Sequence, residues 1–407
     1  MTGSTFRAFR RRNFRWFFVG QVLSVTGTWA QRVALGWLAY RLTHSSLFLG
    51  MAAFASSAPA FLLTPIAGVM ADRVDRRRML IWAQFFGLLQ AAGLAAATLT
   101  GSITPNWLLF FSLVLGIVNA FENPVRQSFY SELVDPEDLS NAIALNASLV
   151  NAARVVGPAT AGAVVALWGE GACFVINSVS FLAVIIALLL MKVPSRPTET
   201  GTARGWELLR EGFAFVRGNP VLSGMLLNFA IFNLAGSPYL TLLPVLAVER
   251  LNSGPAGLGW LISASGLGAI GISLALASRP STRGLPAASF VASAVAGLAL
   301  VALGFSRSFA LSLLMMLLIG AGYVLMLAST QTMMQTLASE AMRGRVMSFY
   351  SLIFLGVPPL GSLIAGIAAE RWHASVAVSI GGALCLLAAA SFARGASSGR
   401  PPSAVAY

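Results

Sequence analysis

The chain has 407 residues, of which 57% are hydrophobic and only 10% charged, with a mean hydropathy of +0.77. A soluble domain of this size would carry roughly 25% charged residues, so a water-soluble globular class is excluded. The net charge of +13 would suit nucleic acid if the cations shared one face, but their spacing along the chain argues against that partner.

Runs of about 20 apolar residues recur from end to end, each long enough to cross a bilayer as a helix. Backbone groups in lipid must pair internally, which favours helices, and the alternating pattern of a β-barrel is absent. Twelve spans are predicted, near 14–40, 46–70, 79–100, 105–123, 139–167, 171–191, 220–247, 256–277, 286–306, 309–338, 345–369 and 373–393. The first exceeds a signal-peptide core and lacks a small-residue cleavage site, so it is expected to remain as a span.

In the first span Gln21, Ser24, Thr28 and Arg32 follow helical spacing and share one face. A charge inside a span is expensive and faces a cavity or a partner, so Arg32 is a candidate ligand for an anionic or zwitterionic substrate. The alternative is that it snorkels to the interface. Between the second and third spans lies Gly68-Val69-Met70-Ala71-Asp72-Arg73-Val74-Asp75-Arg76-Arg77-Arg78, a glycine-led charged hinge that anchoring alone does not require. Asp72 closes the second span, where its carboxylate suits the positive N-terminus of another helix. Asn119, Asn123 and Arg126 share a face of the fourth span, and Glu122 sits beside them.

The fifth span carries Arg154 and then Gly157, Pro158 and Gly162. The glycines admit a neighbouring backbone and the proline bends the helix. Residues 192–219 form the long polar interruption, a linker with Pro194, Pro197 and Gly201. Within it Trp206, Leu209, Phe213 and Val216 recur at helical spacing, which predicts a short amphipathic surface helix. The seventh span holds Asn228, Phe232, Asn233 and Tyr239, with Pro238 and Pro244 expected to break it; the tenth holds Gln331 and Gln335 on one face. Aromatics with a few polar groups suit an amphipathic ligand, although interhelical packing is the commoner role for any single one of these residues.

The organisation that follows is 1–191 as one six-helix bundle, 192–219 as a cytoplasmic linker, and 220–407 as a second bundle with a short tail. With an offset of 204, Gly20, Gly50, Gly116, Gln127, Gly157, Gly162 and Trp168 fall on Gly224, Gly254, Gly320, Gln331, Gly361, Gly366 and Trp372, as expected of a parallel repeat. Arginines concentrate before the first span, in 73–78, in the linker and near 279–283, 343–345 and 394–400, whereas the opposite loops hold Arg41, Arg250, Arg307 and Arg371. This asymmetry puts both termini in the cytoplasm and assigns the basic excess to topology and anionic lipid, not nucleic acid. Cys173 and Cys385 lie inside spans, and His44 and His373 in outer loops, so neither a disulfide nor a metal site is expected. No phosphate-binding loop is present and Lys192 is the sole lysine, so ATP is not the expected direct energy source and no cofactor is implied. No nucleophile–base set marks a membrane enzyme.

The 68–78 segment resembles the loop between the second and third helices of major facilitator superfamily transporters, close to G-x-x-x-D-R-x-G-R-R, with Asp75 where the family usually has Gly. The resemblance implies twelve helices in two pseudo-symmetric six-helix bundles and a gate made by Gly68, Asp72, Arg73, Arg76 and Arg77. Asp72 would meet the start of the eleventh span near Arg343 and Arg345, and Arg76 would pair with an acid at the cytoplasmic end of the fourth, taken to be Glu122. Gly157-Pro158 with Gly162 resembles the G-P-x-x-x-G signature of drug and metabolite antiporters, with Ala163 replacing a second glycine. Gly27-Thr28-Trp29-Ala30-Gln31-Arg32-Val33-Ala34, Glu122-Asn123-Pro124-Val125-Arg126-Gln127 and Arg343-Gly344-Arg345-Val346-Met347-Ser348 are similar to the enterobactin-exporter-like and macrolide-efflux branch. The implied function is proton-coupled efflux of an amphipathic small molecule (siderophore, drug or metabolite), anionic if Arg32 binds it, by a monomer in the inner membrane. A lysophospholipid transporter, or a non-transporting sensor or scaffold, is the alternative.

Overall fold

The computed structural model describes residues 6–191, 205–279 and 281–397; the side chains of residues 69, 71–73, 205–209, 341 and 392–397 lie outside the described set. Among the described residues all regular structure is helical: α1 Arg12–Thr43, α2 Ser46–Arg73, α3 Arg76–Leu99, α4 Pro105–Leu133, α5 Leu139–Leu190, α6 Gly205–Gly218, α7 Pro220–Ile231, α8 Tyr239–Glu249, α9 Pro255–Ala277, α10 Leu285–Phe305, α11 Phe309–Leu337, α12 Glu340–Trp372 and α13 Ala374–Ser397. Ten helical stretches are long and apolar enough to cross a membrane.

The helix starts follow local chemistry. Ser45, Asp75, Thr104, Asn219 and Ser308 cap α2, α3, α4, α7 and α11 through their side-chain oxygens, and proline takes the first position of α4 and α7. One boundary differs from the sequence expectation: helix α4 runs through Pro124 to Leu133 instead of ending near 123. The expected fifth and sixth spans lie on either side of a backbone break at Gly169 (φ 78°) within α5. The expected seventh span is broken into α7 and α8 around a π turn at Phe232–Gly236; Pro238 caps α8, whereas Pro244 lies inside it without ending it. The amphipathic helix expected in the linker is α6.

The described chain forms two compact units, Met1–Thr202 with Asn252–Ser263, and Ala203–Leu251 with Ala264–Tyr407. In unit 1, Phe17 packs edge-on against Phe129 and Tyr130 at 5.6 and 5.3 Å, in a core with Phe14, Leu80 and Leu188. The N-terminal turn is tied to the segment after α4: Arg7 pairs with Asp138 at 3.7 Å, Arg11 pairs with Asp135, and the Ala8 amide donates to Asn141 Oδ1 at 3.0 Å. In unit 2, Phe229 stacks on Tyr350 at 4.9 Å and Phe232 on Tyr323 at 5.5 Å. Helix α6 docks on the start of α12 through a Glu211–Arg345 ion pair, and Gly212 lies against the Arg345 backbone.

The 204-residue repeat has a packing counterpart. A Cβ at Gly116 on α4 would strike the carbonyls of Ala55 and Ser56 on α2 at 2.8 Å. Its counterpart Gly320 on α11 is closed in the same way by the Ser265 carbonyl on α9. Gly157 on α5 abuts Trp29 on α1, and Gly361 on α12 abuts the Asn233 and Leu234 carbonyls. Glycine recurs because the same two helix crossings recur in each unit.

Candidate functional site

The hinge between α2 and α3 is extended at Val74 (φ −115°, ψ 151°) and Asp75 (φ −55°, ψ 113°), and Asp75 Oδ1 accepts from the Arg78 amide at 3.0 Å. The three following arginines crowd the positive end of α3, which that carboxylate offsets. Arg76 pairs with Glu132 at 3.0 Å, both side chains largely buried. This corrects the expected Arg76–Glu122 pairing. Glu132 stands at the real end of α4, whereas Glu122 lies ten residues earlier, about 15 Å along the helix. Glu122 is instead 3.5 Å from Arg126. Arg77 donates to the carbonyls of Leu188 and Leu189 at 2.7 and 3.0 Å, satisfying the open end of α5. Gly68 has open space where a Cβ would stand. The side chains of Asp72 and Arg73 lie outside the described residues. In unit 2, Arg343 donates to the Gln335 carbonyl at 3.1 Å, near the end of α11.

The residues expected to line a cavity divide by burial. In unit 1, Gln21 and Ser24 are buried, Thr28, Asn119 and Arg154 are half-buried, and Asn123 and Arg32 are exposed. Arg126 donates to Gln21 Oε1 at 3.3 Å and to Asn123 Oδ1 at 2.8 Å, so one guanidinium joins α1 to α4. The Arg32 guanidinium lies 4.8 Å from the Trp29 ring centre. Gly157 presses on Trp29 and is buried with Pro158; Gly162 faces the first turn of α9, where a Cβ would meet the Pro255 carbonyl at 2.5 Å. In unit 2, Asn228, Phe232, Asn233 and Tyr239 are buried and Gln331 and Gln335 exposed. The Tyr239 hydroxyl is 3.1 Å from Ser265 Oγ.

Sequence reasoning missed a buried amide network in unit 1. Asn177 donates to Gln31 Oε1 at 2.6 Å, Gln31 to Gln90 Oε1 at 3.0 Å, and Gln90 to the Phe111 carbonyl at 3.0 Å. Ser180 donates to Asn177, and Gly27 leaves the space, since a Cβ there would lie 2.5 Å from Ser180 Oγ. It also missed the two-point pair of Arg41 with the buried Glu170, at 2.7 and 3.2 Å, one residue past the Gly169 break. The available signal was a run of amides inside apolar stretches, which only a fold can connect.

The profile of the transmembrane secretion effector family matches residues 3–397. The staphyloferrin A transporter of Staphylococcus aureus is 26% identical over 360 residues, covering 88% of this chain and 89% of its own. The multidrug efflux pump Tap of Mycolicibacterium fortuitum is 24% identical over 351 residues, covering 82% and 83%. The crystal structure of the nucleoside transporter NupG superposes with a TM-score of 0.73 at 14% identity, over 94% of this chain and 98% of that one.

Proposed function

The chain belongs to the transmembrane secretion effector family of major facilitator transporters, and from that premise we propose that it exports an amphipathic small molecule by proton-driven alternating access. The observation that carries this reading is the family match along almost the whole chain, with a siderophore transporter and a multidrug efflux pump among its relatives. The fold supports two six-helix halves. The ten apolar stretches become twelve spans when α1 is added and α5 is counted once on each side of Gly169. Cytoplasmic termini and an inner-membrane location follow from the arginine asymmetry.

In this reading the α2–α3 hinge is the gate. Arg76 and Arg77 bind their own unit, to Glu132 and the end of α5, and so hold the hinge in place. Asp72 closes α2 next to this hinge, and its carboxylate is the charge assigned here to gating. In unit 1 the candidate substrate residues Thr28, Arg32, Asn119, Asn123 and Arg154 are at least partly exposed, and in unit 2 so are Gln331 and Gln335. Glu122, beside Arg126, is the carboxylate at membrane depth assigned to proton coupling.

The test is transport by the purified full chain in sealed vesicles, with an imposed pH gradient and a fluorescent macrolide or an iron-free siderophore as the amphiphile. Accumulation should follow the gradient, collapse with a proton ionophore and fall strongly in Asp72→Asn. Gradient-independent distribution of every compound, with a folded protein, overturns the reading.

A further inference from the structure

Among the described side chains of the unit 1 spans, four arginines are engaged, whereas the guanidiniums of Arg12, Arg15, Arg32, Arg78 and Arg154 have neither ion pair nor hydrogen bond; Arg12, Arg15 and Arg78 stand in the first turns of α1 and α3. Arg41 holds Glu170, Arg76 holds Glu132, Arg77 holds the end of α5, and Arg126 holds Glu122, Gln21 and Asn123. Arg32 and Arg154 have no ion pair and no hydrogen bond among the described residues; Arg32 has the face of Trp29. They are also neighbours. Trp29 and Arg32 are one turn apart on α1, Arg154 and Gly157 one turn apart on α5, and Gly157 is pressed against Trp29. The two turns therefore face each other.

Two uncompensated guanidiniums inside a span are costly. A single carboxylate neutralises one and leaves the other; a ligand with two negative groups neutralises both. Arginine's planar fork favours bidentate oxyanions, and the indole beside it offers a surface for the ligand's apolar part. We propose that Arg32 and Arg154 act together as a recognition site for the multiply charged part of the substrate, two or more oxyanion charges a few ångströms apart, as in a polycarboxylate or a phosphomonoester. This deepens the transport reading above and rests on it.

The experiment measures binding to the full chain in phosphatidylcholine nanodiscs, using citrate, its trimethyl ester and acetate, by calorimetry and tryptophan emission. Citrate should bind about tenfold or more tightly than either comparator. Arg32→Gln and Arg154→Gln should each erase that preference without lowering the melting temperature. Arg32→Lys and Arg154→Lys, which keep the charge but lose the fork, should retain part of it. Arg10→Gln, at the exposed N-terminal turn, should leave it intact. Nanodiscs doped with phosphatidic acid separate the two sources of the chemistry. Competition with citrate assigns the site to a lipid phosphate, and its absence assigns it to a soluble polyanion. Equal affinity for citrate and its ester, or a preference that survives in the double Gln variant, overturns the proposal. Gradient-driven export of a neutral amphiphile with no citrate preference sinks this site alone. A citrate preference without gradient-driven transport sinks the transport reading alone.

Discussion

The two units share a helix plan and differ in how many of their buried polar groups are partnered. In unit 1 most are partnered: Gln31, Gln90, Asn177 and Ser180 bond one another, and Glu122, Glu132 and Glu170 each meet an arginine. Gln84 Oε1 and the hydroxyls of Tyr130 and Ser263 are the exceptions. In unit 2 Ser293, Ser306 and Ser312 are bonded, but among the described residues the Asn228 amide is buried with neither end bonded, and Asn233 Oδ1 and the hydroxyls of Ser289, Ser329 and Thr330 have no partner. Aromatic stacking, Phe229 on Tyr350 and Phe232 on Tyr323, takes over the role of connecting helices there. A buried polar atom without a partner costs roughly 1–3 kcal/mol, so unit 2 holds groups that gain by any rearrangement supplying them with one. The π turn at Phe232–Gly236 lies among them, and such turns often mark functional sites. The lesson is that unit 1 is the pre-organised half and unit 2 the half whose polar groups await partners.

The largest expected effect tests unit 1 at the α2–α3 hinge. Arg76→Gln removes the cation that the largely buried Glu132 meets at 3.0 Å, and breaking such a pair costs up to about 3–5 kcal/mol. Glu132→Gln should cost a comparable amount, and the double substitution much less than the sum. The Arg76→Gln and Glu122→Gln pair should be additive, because Glu122 belongs to Arg126. Chemical denaturation in detergent reads all of these, and strong coupling between Arg76 and Glu122 would contradict the assignment.

A matched pair of substitutions then compares the units directly. Gln31→Leu removes one residue and strands two others, Asn177 and Gln90, at roughly 1–3 kcal/mol for each stranded group. Asn228→Leu removes an amide that is already stranded, so its stability should be unchanged or raised by about 1 kcal/mol. Melting temperatures of the two variants should therefore move in opposite directions or differ widely. Equal losses would mean that Asn228 has a partner and that the contrast between the units is false.

What the sequence disclosed follows the same division. Span positions, the linker helix and the glycine crossings depend on local pattern, and they were readable. The α4 boundary was misjudged because Pro124 and the polar run after it imitate a helix end, although a proline is tolerated in a span when neighbouring groups satisfy the freed carbonyl. That single error moved the expected partner of Arg76 from Glu132 to Glu122. The amide network joins positions 59 and 146 residues apart, and no periodicity within one helix encodes such pairs. Gln31 even stood inside a segment whose resemblance was noted, next to Arg32, and its burial against Asn177 rather than exposure beside Arg32 is decided by tertiary packing.

The smallest expected effect concerns Asp75, at the position of the second glycine in the loop pattern that this hinge resembles. A glycine would be required if the hinge demanded a left-handed residue, but Val74 and Asp75 both have negative φ, so the turn accepts any L-residue. Aspartate does two things at this place. Its Oδ1 caps the Arg78 amide, and its charge faces a helix start whose first three residues are Arg76, Arg77 and Arg78. Replacing a capping residue by glycine costs only a few tenths of a kcal/mol, and losing the charge near the helix start adds about 0.3–1 kcal/mol at low salt. Asp75→Gly should therefore lower stability by roughly 1 kcal/mol or less, with the difference shrinking as salt screens it. Asp75→Asn keeps the cap and should lose only the salt-sensitive part. Transport should survive in both, because neither change touches Arg76–Glu132 or the Arg77 contacts with α5. A large, salt-independent loss in Asp75→Gly would show that the hinge depends on this side chain for its shape, and would place Asp75 among the gate residues beside Asp72.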